Sequence, residues 1–106
     1  MAIKAYKVIN FEGFSVSAPV DGIVFYSTER KTFPKQNCGP LAAFEKVHHA
    51  LEFLEAHAYL AGQIWTCEVK VSKIQSLFTP LTAGYCTYPE GTIFCDWIQL
   101  KAKVSL

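Results

Sequence analysis

The apolar positions between residues 45 and 60 follow the spacing of an amphipathic helix. They recur at three- and four-residue steps, and glutamates lie towards the opposite side. The pattern predicts a helix from Glu45 or Lys46 to about Leu60, with Gly62 as its C-terminal cap. The predicted apolar stripe comprises Val47, Ala50, Leu51, Leu54 and Ala58.

A strictly alternating segment, residues 64–72, follows the helix. A period of two is typical of a strand with one buried face and one solvated face. The change from a helical to a strand period within so short a stretch predicts an α+β fold. The predicted inward set is Trp65, Cys67, Val69 and Val71, and the outward set is Thr66, Glu68, Lys70 and Ser72.

Residues 3–9 predict a first strand with no cleanly apolar face. Lys7 shares one face with Ala5 and Ile9, and the other face carries Lys4 and Tyr6 as well as Val8. Mixed faces of this kind are typical of an edge strand.

Three other segments precede the helix. Residues 14–17 predict a short second strand, and the apolar run at 23–26 predicts a buried central strand. Residues 41–44 fit either a short strand or the opening of the helix.

The C-terminal part of the chain predicts a β-hairpin. Residues 85–88 run into a turn at Pro89, Glu90 and Gly91, and residues 92–104 run out of it. Gly91 suits the left-handed position of a three-residue loop. On the outgoing strand the predicted buried set is Phe94, Ile98, Leu100, Ala102 and Val104, and Asp96 is the one acidic residue that falls on that face.

Together these elements predict one α+β domain over residues 1–106. Its expected core is an antiparallel, curved sheet of five to six strands with one main helix packed on one face. The longest irregular segment, residues 27–40, carries two prolines and the only arginine, Arg30. Loops of this length are often functional, so this segment is the first place to expect a partner surface.

Charge and hydropathy exclude some classes of partner. The net charge is +1, and the lysines are scattered along the chain rather than clustered. Nucleic-acid binding is therefore disfavoured, because such proteins usually carry a basic face. No apolar run reaches the length of a membrane span and no secretory leader is visible, so we expect a cytoplasmic protein with reduced thiols.

The cysteines and histidines do not form a recognisable metal motif. Cys38, Cys67, Cys86 and Cys95 contain no CxxC pair, and structural zinc sites usually take their ligands in close pairs. The predicted turn places Cys86 and Cys95 on opposite sides of the sheet, which favours free thiols over a disulfide. We expect neither a metal nor a cofactor.

Two kinds of side chain remain open to a structural or a catalytic interpretation. His48, His49 and His57 fit exposed positions on the helix, and a general base or a pH-sensitive contact is the alternative. Asp96 on an apolar strand face requires a hydrogen bond, an ion pair or an edge position, and an acid made reactive by burial is the alternative. The sequence contains no GxSxG, GxGxxG or HExxH motif that would assign these side chains to a known catalytic pattern.

Exposed aromatic side chains provide the clearest candidates for partner binding. Trp97 either faces outward among polar neighbours, where it would anchor an interface, or is covered by the helix or a loop. The low charged fraction, 18%, favours an apolar patch that binds a partner, and a homodimer is compatible with such a patch. The predicted partner-binding residues are Trp97, Tyr85, Tyr88, Arg30, Lys31 and Lys35.

Several segments resemble a group of small phage- and bacteria-encoded proteins of unknown function. The likeness rests on the K-A-Y-K strand at 4–7, the segment 39–44, the Ala50-Leu51 helix and the I-W-x-C-E-V strand at 64–69. Small phage proteins include inhibitors of bacterial defence, anti-CRISPR proteins among them. The resemblance therefore implies a non-enzymatic protein that binds and blocks a host protein or protein complex.

The alternative is a small enzyme with a cleft between helix and sheet. Some small folds of this kind are similar in layout to degenerate ADP-ribosyltransferase-like domains, whose NAD pocket uses an R-S-E or H-Y-E set of residues. Arg30, Ser27 and Glu29 supply the R-S-E types here, although within one loop instead of on separate strands.

Overall fold

The computed structural model describes residues 2–10, 25–34, 40–56, 62–73, 78–79, 84–85 and 91–105. The predicted strand at 14–17 and the first half of the one at 23–26 lie outside these ranges. The described elements are β1 (Ala2–Ile9), β2 (Leu41–Phe44), α1 (Val47–Ala56), β3 (Gln63–Val71), β4 (Phe78–Thr79), β5 (Gly84–Tyr85) and β6 (Thr92–Lys103).

Four antiparallel strands close into a small barrel in the order β1-β2-β6-β3. The predicted α+β class is confirmed, with α1 as the helix of the described residues, but the prediction of five to six strands is not confirmed. Residues 41–44 form a strand, which decides between the two structures that their sequence allowed. Strands β4 and β5 pair with each other in a separate two-stranded sheet.

Two apolar clusters stabilise the barrel, one inside it and one beneath the helix. The inner cluster includes the fully buried Val69 and Ile98, with Trp65 and Ile93 packed against it. The helix cluster forms where Ala50 of α1 packs against outward-facing side chains of the barrel. Its buried members are Val8, Phe44, Ala50 and Ile64, and the partly buried ones are Tyr6, Leu51, Phe53, Leu54 and Val104.

The prediction that β1 is an edge strand is wrong. β1 pairs with β3 along its whole length and meets β2 on its other side through the Tyr6–Phe44 pair. Lys7, which made its face look polar, is only 5% exposed, and its Nζ donates a 2.6 Å hydrogen bond to the backbone oxygen of Ala42. The lysine thus joins β1 to β2 next to the single backbone pair between them.

The alternation predicted for β3 is partly confirmed. Cys67 and Val69 are fully buried, and Trp65 is partly buried against the inner cluster. Val71 is 39% exposed instead of buried, and Ser72 is buried instead of solvated. Val71 lies beyond the last β1–β3 pair, which joins Ala2 to Lys70, and a register shift against β6 falls between Lys70 and Val71, so the alternation no longer separates core from solvent there.

Strand β6 departs from the predicted alternation at Asp96. Trp97 pairs with Lys70 and Cys95 pairs with Val71, so Asp96 is an extra residue opposite β3, as in a β-bulge. An extra residue reverses the alternation, which explains why Cys95 and Ile98 are both fully buried. Phe94, Ile98 and Leu100 are buried as predicted, but Ala102 is exposed and Val104 only partly buried. Cys95, which the predicted alternation places outside the buried set, is fully buried.

The pH dependence of stability tests the buried position of Lys7. Burial lowers the pKa of Lys7 from 10.5 to about 8. The unfolded chain therefore binds more protons between about pH 8 and pH 10.5, and the contribution of Lys7 to stability rises with pH through that window. Relative to Lys7→Met, we expect the wild type to gain about 1 kcal/mol of unfolding free energy between pH 7 and pH 9.

Urea unfolding of both proteins at the two pH values measures this difference. Cys67 and Cys95 act in the opposite direction above about pH 9, because burial raises their pKa values from 9.0 to about 12. Both thiols are present in both proteins, so their effect largely cancels in the comparison. A difference that does not change with pH would show that Lys7 is solvated.

Candidate functional site

The outer face of β6 carries an aromatic pair flanked by cations. Thr32 and Ile98 exchange two backbone hydrogen bonds of 2.8 and 3.0 Å, which aligns the segment 25–34 antiparallel to β6. Phe33 follows Thr32 directly in the chain and Trp97 directly precedes Ile98, so an antiparallel bridge brings these two residues to neighbouring positions, and Trp97 pairs with Lys70 of β3. We call the outward group Arg30, Lys31, Phe33, Lys70 and Trp97 the Trp97 surface.

Lys31 covers the Trp97 indole. Its Nζ lies 4.3 Å from the ring centroid, a distance at which an ammonium is attracted to the face of the ring. Trp97 is partly buried, whereas Phe33 is 58% exposed and Lys31 is also exposed. The tryptophan is therefore a fixed apolar platform, and the phenylalanine beside it presents most of its surface to solvent.

The segment 25–34 is held to β6 at both of its ends. Besides the Thr32–Ile98 pair, the backbone nitrogen of Leu100 donates to the oxygen of Ser27 at 2.9 Å. The side chain of Gln99 adds a 3.1 Å hydrogen bond to the oxygen of Thr28. The N-terminal part of the predicted loop, from Ser27 to Thr32, is thus attached to the barrel wall.

Two of the predicted partner-binding residues are in contact on this surface, and a third is their exposed neighbour in the chain. Trp97 and Lys31 are in contact, and the exposed Arg30 precedes Lys31 in the same segment. Tyr85 lies in β5, where it pairs with Phe78 of β4. Strand β6, which carries Trp97, pairs among the described residues with β2, β3 and the 25–34 segment. Tyr88 and Lys35 lie outside the described residues.

Sequence reasoning missed Phe33 and Lys70 as members of the surface. The pattern of β3 did mark Lys70 as outward-facing, but nothing in the sequence showed which strand would lie beside it. Phe33 stands in an irregular segment where no periodicity indicates the direction of its side chain. A Phe next to a proline in a polar loop was the available signal.

Asp96 forms a loose ion pair and does not act as a buried acid. Its Oδ2 lies 3.9 Å from the Nζ of Lys70, and the two side chains are 45% and 52% exposed. An exposed pair at this distance contributes little to stability. The position of Asp96 at the bulge therefore supports its structural interpretation over the catalytic one.

The two described histidines lie together at the start of α1. The rings of His48 and His49 are 4.0 Å apart between centroids, and His48 is exposed. The Nδ1 of His49 is buried and has no hydrogen-bond partner within the described part of the chain. His49 packs against Gly91, whose backbone oxygen accepts a 3.2 Å hydrogen bond from the nitrogen of Glu45.

A second feature is a cleft of about 410 Å³ at one mouth of the barrel. The core residues Ile9, Tyr26 and Leu100 line it, together with Trp65 at the start of β3. Phe25, which is 53% exposed, forms another part of the wall. The polar lining consists of Asn10, Ser27, Thr28, Glu29 and Gln63.

The cleft does not assemble the residues that would make it an active site. His48, His49 and Asp96 are absent from its described lining, as is Arg30 of the R-S-E set. Ser27 and Glu29 do line it, but the Oγ of Ser27 accepts a hydrogen bond of 3.0 Å from the backbone nitrogen of Glu29. That bond belongs to a local turn.

Burial changes the pKa values of the ionisable side chains inside the barrel. The Lys7 ammonium lies 5.0 Å from the centroid of the Tyr26 ring. Burial raises the pKa of the Tyr26 hydroxyl well above its usual range, and it also raises the pKa values of Cys67 and Cys95 to about 12. Both cysteines are free and buried, so they are protonated thiols at neutral pH and poor nucleophiles.

Within the described ranges, no cluster of three His, Cys, Asp or Glu side chains could hold a metal ion. Among the described helices, none is long and apolar enough to cross a membrane. No family model, curated protein or solved structure matches the chain. Functional inference therefore depends on the Trp97 surface and the cleft.

Substitution of Gly91 tests the packing of the α1 start against β6. Gly91 has a φ of +83°, the left-handed region expected of its turn position, and a Cβ there would collide with the His49 ring. We expect Gly91→Ala to lower the unfolding free energy by about 2 kcal/mol or more, from backbone strain and overpacking together. Chemical denaturation of both proteins measures the loss.

A second background separates the two causes. In a His49→Ala protein the clash with the ring atoms is gone and only the contact with Cβ at 2.8 Å remains, so the further change of Gly91 to Ala should cost at least about 1 kcal/mol less than it does in the wild type. An equal cost in both backgrounds would show that the His49 ring does not contact Gly91.

Proposed function

We propose that the protein is a non-enzymatic binding protein that docks on another protein through the Trp97 surface. The observation that carries the proposal is the contact of Lys31 with the Trp97 indole, next to a backbone bridge that is followed in the chain by the exposed Phe33. Aromatic side chains with adjacent cations are the residues on which protein interfaces most often depend. The absence of histidine and Asp96 from the described cleft lining favours this function over catalysis.

The charges around the aromatic pair indicate the kind of surface that would fit. Arg30, Lys31 and Lys70 supply three cations, and Asp96 supplies one acid near Lys70. A partner surface with an apolar pocket and an acidic rim would complement both features. The flanking cations would then increase the rate of association in a salt-dependent way.

The resemblance to small phage and bacterial proteins suggests the setting. A small protein that occupies one surface of a host protein can inhibit that protein without chemistry of its own. An inhibitor of the anti-CRISPR type, acting in the cytoplasm, is the form of the proposal that the likeness supports. The free, buried thiols are compatible with a reducing compartment.

Affinity capture from a bacterial lysate with quantitative mass spectrometry tests the proposal. We expect the wild-type protein to retain one stoichiometric partner, and Phe33→Ala and Trp97→Ala to weaken its binding at least tenfold, on the order expected for central aromatic residues. Phe25→Ala is the matched control, because Phe25 is similarly exposed but lies at the cleft.

Thermal unfolding of each variant shows whether a loss of binding reflects a loss of fold. Phe33→Ala removes a mostly exposed ring, so it should leave the unfolding temperature nearly unchanged. Recovery of the same partner by the wild type and by both surface variants would place the interface elsewhere.

A further inference from the structure

The barrel-mouth cleft has the size of a small-ligand site. Its volume of about 410 Å³ falls within the range of pockets that hold small molecules, and barrel mouths are a common location for them. Three aromatic side chains, Phe25, Tyr26 and Trp65, contribute to its lining. Tyr26 is almost fully buried, so Phe25 and the partly buried Trp65 provide the apolar surface on which a planar ring can stack.

Two of these rings are held in place by hydrogen-bonding or charged neighbours. The Nε1 of Trp65 donates to the Oε1 of Gln63 at 3.3 Å, which fixes the indole at the rim. Tyr26 is only 3% exposed, and the Lys7 ammonium lies 5.0 Å from its ring centroid. A ring entering the cleft would therefore meet preformed walls.

The charges around the cleft select against an ionic ligand. A cation in the cleft would approach the Tyr26 wall and be repelled by the Lys7 ammonium near that ring. An anion would meet the Glu29 carboxylate, and the described lining contains no lysine or arginine to bind it. A ligand without net charge avoids both penalties.

The uncharged polar residues define the hydrogen-bonding edge of that ligand. Asn10, Ser27, Thr28 and Gln63 carry amide and hydroxyl groups that can donate as well as accept, and Glu29 adds an acceptor. A flat ring that bears both donors and acceptors, such as a nucleobase, matches this set. Hydroxyl groups of an attached sugar would find further partners at the polar rim.

We propose that the barrel-mouth cleft binds a neutral nucleobase or nucleoside, without its phosphate groups. Phe25 and Trp65 stack on the base, and the polar residues of the rim recognise its edge and sugar hydroxyls. This site is separate from the Trp97 surface and does not depend on the proposed docking function.

Fluorescence titration with adenosine, guanosine, cytidine and uridine tests the proposal. A Trp97→Phe protein is used so that the signal comes from Trp65 alone, the other tryptophan of the chain. We expect saturable quenching by at least one nucleoside with a Kd below about 1 mM, and at least several-fold weaker binding of its 5′-monophosphate. Phe25→Ala should weaken nucleoside binding about tenfold, since stacking contributes this order of affinity.

Phe33→Ala is the control, because it removes a comparably exposed ring from the other surface and should leave nucleoside binding unchanged. The absence of saturable binding by all four nucleosides at about 1 mM would overturn the proposal. So would equal or tighter binding of the monophosphates, or a Phe25→Ala protein that binds as the wild type does. None of these results would bear on capture of a protein partner, which depends on Phe33 and Trp97.

Discussion

The barrel closes at a narrow seam where a buried lysine replaces backbone pairing. Strand β1 meets β2 through one residue pair, Tyr6 and Phe44, whereas it pairs with β3 over eight residues. Beside that pair the Lys7 Nζ hydrogen-bonds to the Ala42 oxygen, which supplies a polar link between the strands. Without such a donor the seam would leave a buried carbonyl facing an apolar interior, a costly arrangement.

The position of Lys7 also sets the character of the interior. A buried ammonium needs polar or polarisable neighbours, and it finds them in the Ala42 carbonyl and the face of Tyr26. Burial opposes the charged form and lowers its pKa, while the nearby Cys67 and Cys95 act in the opposite direction. The two thiols and the phenol thus surround one lysine. Their presence in a small core follows from that lysine and requires no catalytic role.

Closure of the barrel gives each strand an inner and an outer face, and sequence periodicity predicted much of this division. Spacing and turn chemistry predicted a helix, which the structure has over Val47–Ala56, a strand, which it has over Gln63–Val71, and the left-handed Gly91. The predicted end of the helix at 57–60 lies outside the described residues. The edge assignment of β1 failed because a lysine was taken as solvated when its amine reaches a carbonyl across the seam. The alternation of β6 failed at Asp96, because a bulge adds a residue without changing composition.

The Trp97 surface was only partly predictable for the same physical reason. Trp97 was recognised as an outward candidate from its polar neighbours, although the intervening bulge was not expected. Phe33 and Lys70 join it through pairings between segments distant in sequence, which no local pattern encodes. The cleft was not predictable at all, since its walls come from the ends of β1 and β3, the segment 25–34 and β6.

The segment 25–34 contributes to both proposed sites, which raises the question of whether they are coupled. Phe25 lies at the cleft and Phe33 on the Trp97 surface, at opposite ends of the segment. Coupling between sites requires an element with two arrangements that both ligands bias. Backbone hydrogen bonds from the Leu100 nitrogen to the Ser27 oxygen, and between Thr32 and Ile98, instead hold this segment against β6. The two sites should therefore bind independently, and this independence is what allows each phenylalanine to act as the control for the other.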